Sequence, residues 1–274
     1  MAQSGRYELK YVIDEERAVA VADYTQMYLR PSVHNATGPI RGHPVISLYM
    51  DSPDYFFFRQ AFGGIKNRIK LRIRFYDNDW KHPAFLEIKR RVSDVICKDR
   101  AMISREAVRQ FLTRGWPHPS YWVDPAHLGH GKRRIDIYEH FWRLATTIHA
   151  EGAVYISYIR EIFEQPDDDE QRVTFDRHVR ATPYDGSGRL HVPSHGYMAP
   201  PDRPPYYLPK DGVILELKYD TRAPNWMYDM VKIFNLERRY MCKYSAVIDG
   251  AQLQFRNPVL AEKLEPLAAA LWTC

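Results

Sequence analysis

Charged and apolar residues alternate over several short segments of this chain. In the segment Lys70–Phe75, lysine or arginine occupies every second position, and leucine, isoleucine or phenylalanine occupies the positions between. Side chains two positions apart on a β-strand point to the same face, so this segment predicts a strand with one basic and one apolar face. The charged pattern recurs at Glu8 and Lys10, at Glu87 and Lys89, at Arg172 to Asp176, and at Glu216 and Lys218.

This repeated pattern has two interpretations. In an ordinary antiparallel sheet, each polar face simply meets water. Repetition over several strands favours a second interpretation, in which the strands close into a barrel whose lumen is charged and whose apolar outside is covered by helices. A lumen of that kind would hold a polyanion.

The same periodicity, read with turn and capping residues, predicts an α+β fold of about eight strands with helices between them. Helices are expected from the caps Asp14 and Ser104, over Ile135–Ala150, from Asn225, and over Pro258–Leu271. The last strand is expected at Tyr240–Ile248, where it carries Lys243. One domain over residues 1–274 is the economical prediction, with a Pro/Gly/Tyr-rich surface insertion at 182–210.

Composition narrows the class of protein. The 274 residues are 45% hydrophobic and 14% aromatic, which is enough for a substantial core and suits strands. The net charge of +5 indicates an anionic partner but is modest for a nucleic-acid binder, so nucleic acid is not expected as a partner.

Cysteine usage and hydropathy indicate the compartment. Cys97, Cys242 and Cys274 form no CxxC pair, which predicts reduced thiols in a cytoplasmic protein. The polar N-terminus has no signal-peptide pattern, and no apolar run approaches the ~20 residues of a membrane-spanning helix. Any membrane association is therefore expected to need a membrane-protein partner.

Eight short motifs in order carry a family resemblance. They are RYELK (6–10), YMD (49–51), KLRIR (70–74), LEIKRR (86–91), YIRE (158–161), RVTFD (172–176), LELKY (215–219) and CKYS (242–245). This series resembles the VTC domain, the catalytic domain of the vacuolar transporter chaperone polyphosphate polymerases, a branch of the triphosphate tunnel metalloenzymes. The resemblance spans about residues 6–250. It implies an eight-stranded antiparallel closed barrel, or tunnel, that binds a triphosphate or a longer phosphate chain.

The resemblance also implies roles for individual residues. It places phosphate-binding catalytic cations at Lys10, Arg72, Arg74, Lys89, Lys98, Arg160, Arg172, Lys218 and Lys243. It implies a metal-binding carboxylate, for Mn²⁺ or Mg²⁺, at Glu216. Glu8, Glu87 and Asp176 are expected to orient these cations, and Lys70 is expected to bind substrate at the tunnel mouth.

Chemistry supports these expectations, since Lys and Arg offset phosphate charge through charge-assisted hydrogen bonds and phosphoryl transfer needs mainly positioning and charge neutralisation. The hydrolase and cyclase branches resemble each other in a first strand reading ExExK, whereas here Arg6 replaces the first carboxylate. That difference favours an ATP–polyphosphate phosphotransferase, a polymerase acting on ATP and inorganic polyphosphate, with pyrophosphate or triphosphate as further ligands. A tripolyphosphatase or nucleoside triphosphatase, and a non-catalytic polyphosphate-binding module, stay open as alternatives.

Overall fold

The computed structural model of the chain describes residues 5–35, 41–116, 132–165, 170–191, 211–239 and 241–250. Within these ranges the strands are β1 (Tyr7–Ile13), β2 (Arg30–Pro31), β3 (His43–Asp51), β4 (Arg68–Phe75), β5 (Ala84–Val92), β6 (Val95–Ile103), β7 (Glu151–Glu164), β8 (Gln171–Pro183) and β9 (Val213–Tyr219). The helices are α1 (Glu15–Thr25), α2 (Phe56–Phe62), α3 (Arg105–Arg114), α4 (Lys132–Thr147), α5 (Asn225–Ile233) and α6 (Lys243–Gly250).

The strands form one antiparallel sheet in the order β1-β9-β8-β7-β3-β4-β5-β6, with β2 paired to β7. Its two end strands, β1 and β6, meet at a single bridge, where the N–H groups of Arg6 and Ile96 each donate to the other's carbonyl at 2.9 Å. The predicted antiparallel sheet is confirmed. The predicted closed barrel of eight strands is not: in the described residues the sheet has nine strands and no continuous ladder closes it. On one edge β1 pairs with β9 along its whole length, whereas on the other edge only Arg6, directly before β1, is paired to β6.

Two clusters of apolar side chains join the sheet to its helices. In the first, Phe111 of α3 and Phe141 of α4 pack with Leu71 and Leu86 of the sheet. In the second, Val21 of α1 and Met230 of α5 pack with Phe175 and Leu215. The apolar positions between the charged ones are thus buried under helices, as the alternation predicts.

Two of the predicted helix caps form. The Asp14 carboxylate accepts a hydrogen bond from the Arg17 N–H at 2.7 Å, and the Ser104 hydroxyl accepts one from the Ala107 N–H at 3.2 Å. These bonds satisfy N–H groups that have no partner inside the first turn of a helix.

A third apolar cluster contains α6, which replaces the strand predicted at Tyr240–Ile248. That prediction is wrong, and Lys243 lies at the first residue of a helix. Every side chain from Lys243 to Ile248 is buried, so no polar face reveals a period of either two or 3.6. Tyr244 fixes the helix to the sheet, since its hydroxyl donates to Asp51 at 2.5 Å and its ring stacks on Tyr49.

The first residues of the predicted surface insertion at 182–210 are described. Thr182 and Pro183 are the last residues of β8, and Leu190 is buried in the first apolar cluster. Residues 192–210 and the predicted helix Pro258–Leu271 lie outside the described residues. Among the helices described here, none is both long enough and apolar enough to cross a membrane.

Candidate functional site

The charged faces of the strands meet around a cavity of about 190 Å³, which we call the lumen. Every cation expected from the sequence lines it. The lining cations are Arg6, Lys10, Lys70, Arg72, Arg74, Lys89, Lys98, Arg160, Arg172, Lys218 and Lys243, and the lining carboxylates are Glu8 and Glu216. Glu87 and Asp176 do not line the cavity but lie fully buried beside it, where they contact its cations.

Strand register explains why these side chains converge. Lys10 on β1 lies opposite Glu216 on β9, and Arg72 on β4 lies opposite Glu87 on β5. Lys70, Lys89 and Lys98 lie directly opposite one another on β4, β5 and β6. Like charges placed opposite each other destabilise a sheet, so this row of lysines favours a bound anion.

Glu216 lies at the centre of a cluster of four cations. Its Oε1 is 3.3 Å from Lys10 Nζ and 3.2 Å from Lys243 Nζ. Its Oε2 is 2.8 Å from Lys218 Nζ and 3.0 Å from Arg160 Nη2. Burial alone would raise the pKa of Glu216, but Lys218, Lys243, Lys10 and Arg160 outweigh it and hold that pKa well below its usual value. The carboxylate is therefore ionised at neutral pH.

Asp176 and Glu8 extend this cluster. Arg160 donates two hydrogen bonds to Asp176, at 2.6 and 2.7 Å, and Lys243 Nζ is 2.6 Å from the same carboxylate. Glu8 contacts Lys10 at 3.1 Å and Lys89 at 2.8 Å. Burial opposes ionisation of both acids, yet the neighbouring cations lower the pKa of each.

Glu87 holds a second group of cations. Arg72 Nε donates to its Oε2 at 2.6 Å, and Arg74, Lys98 and Arg100 approach its two oxygens at 3.7 to 3.9 Å. Glu87 is completely buried, and Arg72 and Arg74 offset the burial that would raise its pKa. These contacts fit the expectation that Glu87 orients cations.

Burial weakens the protonation of two lumen lysines. It lowers the pKa of Lys98 to about 8: the negative charge of Glu87 offsets only part of the cost of burying the ammonium group, and the positive charge of Arg72 disfavours it further. It likewise lowers the pKa of Lys218 to about 8, with Glu216 compensating only in part. Both lysines can therefore lose charge in mildly alkaline solution.

An adjoining cavity of about 330 Å³, which we call the basic end, continues from the lumen. It shares Lys70 and Cys242 with the lumen and adds Arg68, Arg91, Arg238 and Arg239. Lys70 donates to the Cys242 sulfur at 2.7 Å. Burial raises the pKa of this thiol, but the positive charge of Lys70 outweighs burial and lowers the pKa to about 6. Lys70 thus lies where the two cavities join, in agreement with its expected position near a mouth.

Arg6 lines the lumen on the inward face of Glu8 and Lys10, at the position where the sequence has a cation in place of a carboxylate. Sequence reasoning missed several other lumen residues. Tyr49 and Tyr158 occupy inward strand positions, and Arg72 and Arg74 donate to their hydroxyls at 3.2 and 3.3 Å. Cys242 and Tyr244 carried no such signal, because their segment forms a helix rather than the expected strand.

The expected metal at Glu216 stays a prediction. In the part of the chain that the structure describes, no group of three or more His, Cys, Asp or Glu side chains is placed to share a metal ion. Both oxygens of Glu216 already contact cations, whereas Mg²⁺ and Mn²⁺ need several free oxygen ligands. The residues do not fit a resident metal centre, but one carboxylate suffices for a metal that arrives bound to phosphate oxygens.

The molecule is a domain with one antiparallel sheet, and lysine and arginine side chains of this sheet line its lumen. The family model of the VTC domain matches residues 5–250, and the chain belongs to the VTC domain family. The recognition made from the eight motifs is thereby confirmed. Among curated proteins, none matches the sequence.

Several solved structures are similar to this chain at a low level. A "putative adenylate cyclase" from Bacillus halodurans is 11% identical with a TM-score of 0.47, over 88% of this chain and 96% of that chain. A "putative adenylate cyclase" from Vibrio parahaemolyticus is 12% identical with a TM-score of 0.43, over 90% and 99%. A chain of the Schizosaccharomyces pombe Mediator head module is 10% identical with a TM-score of 0.36, over 90% and 95%.

Proposed function

We propose that the lumen binds the phosphate chain of ATP and transfers its γ-phosphate to a growing inorganic polyphosphate. The observation that carries this proposal is the excess of cations over carboxylates among the lumen residues. A triphosphate carries about four negative charges at neutral pH, and lysine and arginine offset them through charge-assisted hydrogen bonds. Such donors lie on the neighbouring strands β4, β5 and β6, namely Lys70, Arg72 and Arg74 on β4, Lys89 on β5, and Lys98 on β6.

The reaction balances without a protein nucleophile. A terminal oxygen of the acceptor phosphate attacks the γ-phosphorus of ATP, the bond from that phosphorus to the β–γ bridging oxygen breaks, and ADP leaves. The protein positions the two phosphates and neutralises charge on the transferring group, which supplies most of the acceleration in phosphoryl transfer. Lys218, Lys243 and Arg160, now paired with carboxylates, would exchange those partners for phosphate oxygens.

A divalent metal belongs to this proposal as part of the substrate. Mg²⁺ or Mn²⁺ would enter bound to the nucleotide and reduce the charge of its phosphates, with Glu216 as the one protein ligand. The neighbouring carboxylate Glu8 shares Lys10 with Glu216, so binding of phosphate to Lys10 would weaken one ion pair of each acid.

The basic end favours an acceptor longer than one phosphate. Arg68, Arg91, Arg238 and Arg239 extend the cationic surface beyond the lumen, where a chain held at Lys70 would continue. An acceptor held there is present at high effective concentration, whereas water has no comparable binding site. This arrangement supports polymerisation over hydrolysis.

The test is the product formed from ATP with Mn²⁺. We expect ADP together with a ladder of polyphosphate on a gel, digestible by exopolyphosphatase. Arg72→Gln should abolish the ladder, whereas Arg109→Gln, on the exposed side of α3, should keep it. ADP with only stoichiometric orthophosphate would show a hydrolase, and tight polyphosphate binding without turnover would show a binding module.

A further inference from the structure

A continuous series of rings and one guanidinium lies beside the lumen. We call it the aromatic arc, and it consists of His34, His43, Tyr76, Phe85 and Arg100. The ring centroids of His34 and His43 are 6.3 Å apart, those of His43 and Tyr76 are 6.0 Å apart, and those of Tyr76 and Phe85 are 6.0 Å apart. The guanidinium of Arg100 lies 3.7 Å from the centre of the Phe85 ring. These planar groups follow one another across four neighbouring strands, with successive rings inclined to each other by 53° to 69°.

The arc lies at the end of the strands opposite to the basic end. His43 is the first residue of β3, Tyr76 directly follows β4, and Phe85 is the second residue of β5. Arg68, by contrast, is the first residue of β4, and Arg91 lies near the end of β5. The two ends of these strands therefore differ in chemistry, because one is basic and the other is largely aromatic; the arc residues adjoin the lumen and are not among the residues that line it.

The arc is directly connected to the cations of the lumen. Arg100 Nε is 3.7 Å from Glu87, the carboxylate that also holds Arg72 and Arg74. His43 pairs in register with Arg160 of β7. A ligand that occupied both the arc and the lumen would carry a planar group joined to phosphates.

The guanidinium of Arg100 is held in place before any ligand binds. Arg100 donates to the Tyr76 hydroxyl at 3.0 Å, lies over Phe85, and has the Glu87 carboxylate as its counter-ion. Its side chain is nevertheless 34% exposed, so the guanidinium presents accessible surface. Nucleobases stack on both aromatic rings and guanidinium planes.

From this juxtaposition we propose that the aromatic arc binds the base of a nucleoside triphosphate, with Tyr76 and Arg100 as the principal stacking surface. The inference rests on the proposed function, since it requires the phosphates to lie in the lumen. It also sets the orientation of the donor, with the base at the arc and the γ-phosphate directed toward the basic end. The Nδ1 atom of His43, within the arc, is buried and has no hydrogen-bond partner among the described residues.

This mode of binding recognises the flat face of the base and not its edge. Stacking tolerates any base because every base has a π-face. We therefore expect ATP and GTP to bind with similar affinity, and both to bind more tightly than inorganic tripolyphosphate measured under the same conditions.

The experiment compares ATP with inorganic tripolyphosphate by calorimetry, with EDTA present to prevent turnover. In Tyr76→Leu the dissociation constant for ATP should rise roughly tenfold, the scale of one base–aromatic stack, with that for tripolyphosphate unchanged. Tyr76→Phe keeps the ring and should keep most of the ATP affinity, and Phe85→Leu should weaken ATP in the same selective way. Tyr228→Leu is the matched control, since Tyr228 is 50% exposed on α5 and should affect neither ligand.

The outcomes separate this inference from the proposed function. If wild type binds tripolyphosphate and Tyr76→Leu and Phe85→Leu leave ATP binding unchanged, the arc is not a base site, while the phosphate-binding lumen stands. If the variants weaken both ligands equally, the arc supports the lumen and does not contact the base. If wild type binds neither ligand, the proposed function itself fails, and this inference fails with it.

Discussion

Single carboxylates control the charge of this lumen. Glu216 is 3% exposed and contacts four cations, and Glu87 is completely buried among Arg72, Arg74, Lys98 and Arg100. Removing one partner from a buried ion pair leaves an uncompensated charge, which is costly. Polyphosphate can supply the missing negative charge, so ligand binding and lumen stability are coupled at these residues.

Substitution of Glu216 should separate binding from turnover. Glu216→Gln keeps the size of the side chain and removes its charge, so four cations lose a shared counter-ion. We expect the melting temperature of the ligand-free protein to fall, metal-free tripolyphosphate binding to be kept or strengthened, and turnover to fall by orders of magnitude.

The matched control for that substitution is Glu106→Gln, because Glu106 is an exposed residue of α3 that pairs only with Arg109 among the ion pairs described. It should change neither stability nor turnover appreciably. Unchanged metal-dependent activity in Glu216→Gln would exclude Glu216 as the ligand of a substrate-bound metal.

Phosphate binding should weaken as the pH rises from 7 to 9. Burial lowers the pKa of Lys98 and of Lys218 to about 8, so both lysines lose their charge in this interval. Tripolyphosphate gains negative charge over this interval and does not lose it, and the loss of affinity therefore comes from the protein. Calorimetry across this range measures it, and Lys98→Arg, which stays charged, should flatten the profile.

The ligand-free protein should respond to pH with the opposite sign. Between about pH 8 and the ordinary lysine pKa of about 10.5, the unfolded chain binds more protons at these two positions than the folded chain does. Their contribution to the free energy of unfolding therefore rises with pH in that window. For the binding experiment, a tripolyphosphate affinity that stayed constant from pH 7 to pH 9 would contradict the assignment of Lys98 and Lys218 to the phosphate site.

At the scale of elements, α6 joins the lumen to the rest of the sheet. Three successive residues contact three separate places: Cys242 accepts from Lys70, Lys243 contacts Asp176, and Tyr244 donates to Asp51. Asp51 also accepts from the N–H groups of Phe57 and Phe58 in the first turn of α2. The start of α6 and the start of α2 thus depend on one buried carboxylate.

Loss of the Tyr244 hydroxyl should destabilise this junction. Tyr244→Phe leaves the ring stacked on Tyr49 but removes a donor to a completely buried carboxylate, at a cost of about 1–3 kcal/mol in the free energy of unfolding. Urea unfolding measures this change. Tyr228→Phe, on the exposed face of α5, is the control and should be neutral; equal stability of both variants would show that α6 is not anchored by this bond.

At the scale of the whole molecule, the net charge of +5 understates the field inside it. Most acidic residues lie elsewhere, and the cations of seven strands and one helix converge on one lumen. A polyanion that binds only the folded state must stabilise that state by mass action. The effect should weaken with salt, because salt screens the attraction that brings the ligand to the lumen.

Tripolyphosphate should therefore raise the melting temperature of the protein. A ligand at one hundred times its dissociation constant contributes about 2.7 kcal/mol of stability. Arg72→Ala combined with Arg74→Ala should remove most of this shift, whereas Arg109→Ala should retain it. A shift of equal size in the double variant and in wild type would count against a lumen lined by these arginines.

The sequence by itself determined the faces of the strands and the cations of the lumen. Charged side chains such as Lys70, Arg72 and Arg74 alternate with apolar ones, and a period of two is a local property that needs no knowledge of strand order. The caps Asp14 and Ser104 are equally local, and the eight motifs sufficed to recognise the family. Only the tertiary structure decided which cation meets which carboxylate, because register between distant strands sets Lys10 against Glu216.

Tertiary structure likewise decided the conformation of residues 243–250 and the existence of the aromatic arc. In α6 the side chains from Lys243 to Ile248 are all buried, so their pattern carries no period that distinguishes a helix from a strand. The local sequence gives no sign of a binding site at any of the arc residues His43, Tyr76, Phe85 and Arg100. They become one surface because the consecutive strands β3, β4, β5 and β6 lie side by side in the sheet, and the register of their pairing, which no single segment specifies, brings these residues to one end.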